Sequence, residues 1–382
     1  MKEIIFYWSP CLNPVGTVKS TINSAISLKK FNKNYDVSII NACGEWDQYK
    51  ETLSKNSINL IDLHFKYYKI LPKTGFLGSR FSYIIIFILS FFPLFFLLKR
   101  HKPNKMILHL ITSLPLTLLK LYKFKTEFIL RISGYPKLNV ARRFFWKTIS
   151  KKIRIITCPT LDLKKDLEKL KIFDKKKIHY LPDAIIKIKN FNKIEKIPID
   201  LSLAKKKRVI LAAGRLTKQK NFTYLIEEFS EFLKFNNNFV LMILGDGEER
   251  KKLIKLIDEK KLKEQIFLLG FRQNVYDYMK NCEVFILSSL WEEVGFVIVE
   301  AAMCNAYIIS SDCPNGPKEF LNNGKNGLLY KNNYKKSLFK SLKDYCSLNK
   351  NKIFTDKVSL KKNVGKYTMF QHYLAFDRLL KL

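Results

Sequence analysis

The sequence predicts an α/β protein built from two Rossmann-like, doubly wound domains facing a central cleft. Three observations carry that prediction. Short apolar runs alternate with helical patterns almost from end to end, which is how parallel sheets covered on both faces read. A polar stretch, residues 187–207, interrupts the alternation. The alternation then restarts cleanly at Val209. A chain of 382 residues is long enough for two such domains, each with its own core. Its 47% hydrophobic content argues against extensive disorder.

The expected strands of the first half are 3–9, 36–42, 58–65, 105–111, 127–133 and 153–159. Helical patterns over 17–30, 79–100 and 137–151 separate them. In the second half, VILAAGR (209–215) reads as a strand, 221–235 as a helix and FVLMILGDG (239–247) as the next strand. QIFLLGF, EVFILSS and AYIISSD continue the series, and FQHYLAFDRLLKL closes it as a terminal helix. The domains are therefore expected at 1–190 and 205–350, with a helical segment over 351–382. The opening MKEIIFYWSP reads as a buried strand and not as a signal peptide, because no small-residue cleavage site follows its short apolar run. The seven cysteines lack C-x-x-C spacing, which fits a reducing cytosol better than a zinc or disulfide framework.

Residues 82–98 stand apart. They are almost wholly apolar and are flanked by Arg80 and by Lys99, Arg100, His101 and Lys102. As a helix the segment would run roughly 26 Å, slightly short of a hydrocarbon core, and Pro93 would kink it. It can span a membrane, lie buried in the first domain or rest on the inner leaflet. The basic flank suits the last of these, since anionic headgroups attract it.

Two segments carry chemistry. In SSLWEEVGFVIVEAAMC (288–304) a strand ends near Ser289, a loop follows, and a helix begins around Gly295. Ligands bind at such strand ends in open α/β sheets, where helix N-terminal amides can hold a diphosphate and a glycine allows close approach. Glu292 lies in the loop. Glu300 sits within the apolar run VIVEAAM, where a buried charge needs a partner. Carboxylates suit the hydroxyls of a sugar or ribose. The second segment, GRLTKQKN (214–221), places Arg215 and Lys220 at another strand end, positioned to neutralise a departing diphosphate.

These residues resemble the retaining GT-B glycosyltransferases of the family-four type (glycosyl transferases group 1). The likeness is strongest from Val209 to Tyr330, through AAGRLTKQKNF, LGDGEER, FLLGF, EEVGFVIVE, SSDCPNGPKEFL and NGKNGLLY. It implies a GT-B fold and a set of roles. Arg215 and Lys220 would bind the diphosphate, beside Gly214. Glu300 would hold the ribose, and Glu292 with the Gly295–Phe296 backbone would contact sugar and phosphate. Gly270 and Phe271 would flank the base. Gly16 matches the family's glycine-containing loop after the first strand, although one glycine stands where two are usual.

The N-terminal half resembles the family less, as an acceptor-binding domain would. In RISGYPKLN, Ser133 occupies the place where many members carry a histidine, so no catalytic histidine is transferred. His109 at a strand end reads as structural, and Arg131 and Arg142 are candidates for meeting a phosphorylated acceptor. The chain has no D-x-D, so the expected reaction is metal-independent and needs no cofactor beyond the nucleotide-sugar substrate. The resemblance implies retention, by same-face attack assisted by the leaving phosphate.

The expected activity is transfer of a hexose-type sugar to a membrane-associated glycan or lipid. Its expected setting is the assembly of lipopolysaccharide, O-antigen or capsule at the cytoplasmic face of the inner membrane. A nicotinamide oxidoreductase needs G-x-G-x-x-G after a strand, which is absent. A net charge of +36 admits nucleic acid, but the lysines are dispersed and no nucleic-acid signature accompanies them. The remaining alternative is a catalytically inactive GT-B-like module bound to the membrane.

Overall fold

A computed structural model of the chain describes residues 2–12, 16–63, 66–72, 76–191, 198–204 and 206–382. It divides into two compact units, Met1–Ile185 with Met369–Leu382, and Ile186–Thr368. The first boundary falls just ahead of the polar stretch expected to connect the halves. The terminal segment, expected as one helical piece, is divided: helix Lys350–Val364 belongs to the second unit and helix Met369–Leu380 to the first.

The first unit holds a seven-stranded parallel sheet. Its strands are β1 (Glu3–Trp8), β2 (Tyr35–Asn41), β3 (Asn59–Asp62), β4 (Lys105–Leu108), β5 (Glu127–Arg131), β6 (Ile153–Cys158) and β7 (Ile178–Tyr180), in the order β3-β2-β1-β4-β5-β6-β7. Alternate side chains of β1 serve two cores: Ile5 and Tyr7 pack into one layer, Phe6 and Trp8 into the other. That is why the strand reads as a continuous apolar run. Helices Gly16–Phe31 and Met369–Leu380 cover the first layer. Helices Phe76–His101, Ser113–Leu121 and Val140–Ile149 cover the second.

The second unit holds six parallel strands: β8 (Arg208–Ala213), β9 (Phe239–Leu244), β10 (Ile266–Gly270), β11 (Val284–Leu287), β12 (Tyr307–Ser311) and β13 (Leu328–Tyr330). Their order is β10-β9-β8-β11-β12-β13, so both sheets reverse direction beside their first strand, the arrangement that opens a ligand crevice at the strands' carboxyl ends. All six residues of β9 are buried. The three-residue strands β7 and β13 have no counterpart among the expected strands.

Candidate functional site

In the second unit, β8 and β11 are neighbours across the reversal, and the two chemistry-bearing segments follow them directly. After β8 the chain turns through Gly214–Thr217 into a short helical turn, Lys218–Lys220. Thr217 N–H donates to the Arg215 carbonyl (2.8 Å) and Lys220 N–H to that of Thr217 (3.0 Å). The turn folds the Lys220 stem back over Gly214, where a Cβ would lie 3.0 Å from Lys220 Cε.

The two loops are then laced together. Leu290 N–H donates to the Gln219 carbonyl (2.8 Å) and Ser288 Oγ to that of Lys220 (2.7 Å). This brings Lys220 Nζ onto Glu292 Oε1 in a largely buried ion pair. Ser289 Oγ donates to the same carboxylate oxygen at 2.6 Å. An ammonium carries three N–H donors, so the pair leaves Lys220 capacity for a further acceptor. Arg215 differs: its side chain is exposed and has no hydrogen bond or ion pair among the described residues.

Gly295 starts the helix Phe296–Met303 with φ of +74°, a left-handed conformation that favours glycine. Glu293 O receives the Gly316 N–H at 2.8 Å, and a Cβ on Gly316 would come within 2.4 Å of Val294 Cα. A glycine after Asn315 is therefore what lets the 314–317 turn press on the glutamate loop. One turn into the helix, Glu300 is only 6% exposed, and the Tyr276 hydroxyl donates to its Oε1 at 3.1 Å. Tyr276 in turn packs on Phe191, with ring centroids 4.4 Å apart.

Gly270 and Phe271 close β10. The Gly270 carbonyl accepts from Gly245 N–H (2.8 Å), and the Phe271 ring is 73% exposed. Thus Gly214, Lys220, Glu292, Gly295, Phe296 and Glu300 gather around two adjacent strand ends. Arg215 stands beside them on the same loop as Lys220, and Gly270–Phe271 end a strand two places along. Gly16 opens the helix Gly16–Phe31 of the first unit, and residues 13–15 before it lie outside the described residues.

Sequence reasoning missed Ser289 and Tyr276. Ser289 lies two residues beyond β11 and within the quoted motif, so its position was a usable signal. Tyr276 reaches Glu300 only through tertiary packing.

The first unit corrects one expectation. Arg131, a candidate for the acceptor, is 7% exposed and pairs with the buried Asp183, which also accepts from Ser20 Oγ. It is closed to a ligand. His109 is buried and hydrogen-bonded through both ring nitrogens. Burial, and next the Arg131 charge, push its imidazole down to about 3. Thr21 Oγ donates to the Thr17 carbonyl (3.0 Å), so His109 Nδ1–H donates to Thr21 (3.0 Å) and Nε2 accepts from Ser133 Oγ. Arg142 remains available. Its guanidinium lies over the Trp146 ring at 4.9 Å and lines a cavity of about 820 Å³ that His109, Thr112 and Tyr83 also border.

Fold and site together fit a transferase: two doubly wound sheets, with cations and carboxylates collected at a strand-order reversal of the second. Residues 193–363 match the family model described as glycosyl transferases group 1. That match takes in most of the second unit, Ile186–Thr368, and makes the chain similar to that group of glycosyltransferases. It is 28% identical over 320 residues to an uncharacterized glycosyltransferase of Methanocaldococcus jannaschii, covering 77% of this chain and 73% of that one. Across 37% of this chain and 38% of the relative, it is 35% identical to a Campylobacter jejuni enzyme. That enzyme is named N-acetylgalactosamine-N,N'-diacetylbacillosaminyl-diphospho-undecaprenol 4-alpha-N-acetylgalactosaminyltransferase. The fold matches that of Anabaena HepE in complex with UDP and glucose, with a TM-score of 0.73, 15% identity and full coverage of both chains.

Proposed function

We propose that the protein transfers a hexose-type sugar, with retention of anomeric configuration, from a nucleotide-sugar donor to a lipid-linked or polysaccharide acceptor. The pathway would be one of bacterial surface polysaccharide assembly, with the enzyme attached peripherally to the cytoplasmic face of the inner membrane. The observation that carries the reading is the pairing of Lys220 with Glu292 next to an exposed Arg215 that has no partner among the described residues. Exposed guanidinium groups match diphosphate oxygens through parallel N–H donors. Arg215 and Lys220 stabilise charge on the departing nucleoside diphosphate, together with the first-turn amides of the helix that Gly295 and Phe296 begin.

Glu300, buried beside Tyr276, accepts from the ribose hydroxyls, and Glu292 and Ser289 orient the sugar side. Gly270 and Phe271 border the base. The likeness to a structure holding UDP and glucose supports this donor class. The likeness to an enzyme acting on a diphospho-undecaprenol glycan supports a lipid-linked acceptor. Two cations and helix amides suffice for the leaving group without a metal clamp.

The test is release of nucleotide from a panel of UDP-, GDP- and ADP-sugars, with extracted bacterial lipid as acceptor and EDTA present. Turnover of one donor, lost in Arg215→Ala and Glu300→Ala, is the expected result. Absence of both turnover and nucleotide binding across the panel would instead make the chain an inactive module.

A further inference from the structure

The helix Phe76–His101 has two apolar faces with different fates. Ser82, Ile86, Ser90, Leu94 and Leu98, spaced four apart, are each at most 1% exposed. Ile86, Leu94 and Leu98 belong to the core beneath the first sheet. On the opposite side Ile84, Ile88, Phe92 and Phe96 are 56%, 62%, 63% and 61% exposed. Four large apolar side chains in a continuous row exceed the scattered exposure expected of a soluble surface.

The neighbouring helices also carry exposed apolar side chains. Helix Phe76–His101 packs on Ser113–Leu121, and that helix packs on Val140–Ile149, where Val140 and Phe144 are 87% and 66% exposed. The charge of this region is one-sided. Residues 76–152 contain fifteen Lys and Arg against one acidic residue, Glu127, whereas the whole chain has 69 against 33. Lys99 and Arg100 end the apolar helix, Lys120 ends the second, and Arg142 and Arg143 lie beside Phe144 on the third.

We propose that these three helices form a monotopic docking face for an anionic lipid bilayer. Ile84, Ile88, Phe92 and Phe96 enter the acyl boundary, and the surrounding lysines and arginines meet acidic headgroups. The helix does not span. Its 24 apolar-rich residues are long enough, but its inner face is part of the protein's own core, and Ser82 Oγ is bonded to the Pro72 carbonyl at 2.6 Å. Withdrawal into lipid would open that core. A second copy is disfavoured as the occupant, because self-association would bring two strongly basic rims together. The docking rests on the proposed membrane acceptor only for its purpose.

The experiment is flotation of the purified full chain with vesicles of equal parts phosphatidylcholine and phosphatidylglycerol, against vesicles of phosphatidylcholine alone. The chain is expected to float with the mixed vesicles, to bind neutral ones far more weakly, and to be released by high salt. Ile88→Glu with Phe92→Glu should weaken partitioning by about a hundredfold or more, with the melting temperature and nucleotide binding unchanged. A tryptophan introduced by Phe92→Trp should be quenched by brominated lipid. Undiminished flotation of the double variant, or equal binding to both vesicle types, would overturn the proposal. So would membrane attachment resistant to salt and alkaline carbonate, which would mean a spanning helix. A dimer in sedimentation that the double variant dissociates would give the face to a second copy. Because nucleotide binding is read separately, failure of docking and failure of the transferase reading are distinguishable.

Discussion

The two sheets share the order in which strands flank the first one, yet they use the same strand ends in opposite ways. At the carboxyl ends of β1, β4 and β5 stand Ser9, His109 and Arg131, and each is bonded to a partner inside the first unit. At the ends of β8 and β11 stand a glycine turn and a serine loop that hold Lys220 on Glu292 and leave Arg215 exposed, with no partner among the described residues. Residue type alone does not separate the two: an arginine sits at each edge. The difference lies in what faces it. A buried carboxylate turns one guanidinium into architecture, and exposure leaves the other for a ligand.

Breaking the first arrangement should have the largest effect. Arg131→Ala strands the Asp183 carboxylate in the interior and should lower the unfolding free energy by about 3–5 kcal/mol in urea titration. Removing Asp183 as well should recover part of the loss. Arg215→Ala should do the reverse. Its melting temperature should stay near wild type, while turnover of the donor falls about 10²–10³-fold, equivalent to about 2.7–4 kcal/mol.

A third test uses pH. His109 is held down to about 3, and His372 to about 4, in both cases chiefly by burial. His372 Nδ1–H donates to the Pro182 carbonyl at 2.6 Å, and Nε2 accepts from Ser24 Oγ at 2.8 Å. Folded pKa values below the unfolded one mean that the unfolded chain binds more protons as the medium acidifies. The contribution is therefore complete above about pH 6.5 and declines as pH falls towards the folded values. The slope is up to about 1.4 kcal/mol per pH unit for each histidine. The urea midpoint should track this between pH 6.5 and 4.5, and His372→Gln should flatten it while Arg215→Ala leaves it intact. The smallest effect is expected of Ser289→Ala, which removes one donor from Glu292. It should cost about 1 kcal/mol, read as weaker donor binding.

Much of this was legible in the sequence because the long strands and the β8 and β11 loops are local signals. IIFYW and FVLMIL are apolar throughout, as both faces of a parallel strand must be, and GRLTKQKN and EEVGFVIVE sit where such strands end. β7 and β13 escaped notice because three residues are too few to establish a period. The fate of residues 82–98 was open for a different reason. With both faces apolar, the helix has no polar stripe to orient it, and only the packing of Ile86, Leu94 and Leu98 decides which side is inside. Arg131 was misread because Asp183 lies 52 positions away in the chain. The partition of the terminal segment was hidden likewise. Its helix is held by Tyr35 Oη donating to Asp377 (2.6 Å) and by Phe370 against Phe31, contacts without any local trace.

That last helix has a consequence for biogenesis. Because Met369–Leu382 completes the first unit, the second unit is in effect an insertion within the first. Residues 186–368 form one uninterrupted stretch and can close their core as soon as they emerge from the ribosome. The first unit begins earlier but lacks the cover over Gly16–Phe31 until Met369–Leu382 appears. Vectorial synthesis would therefore finish the second-made sheet first, leaving the earlier one exposed for the whole interval.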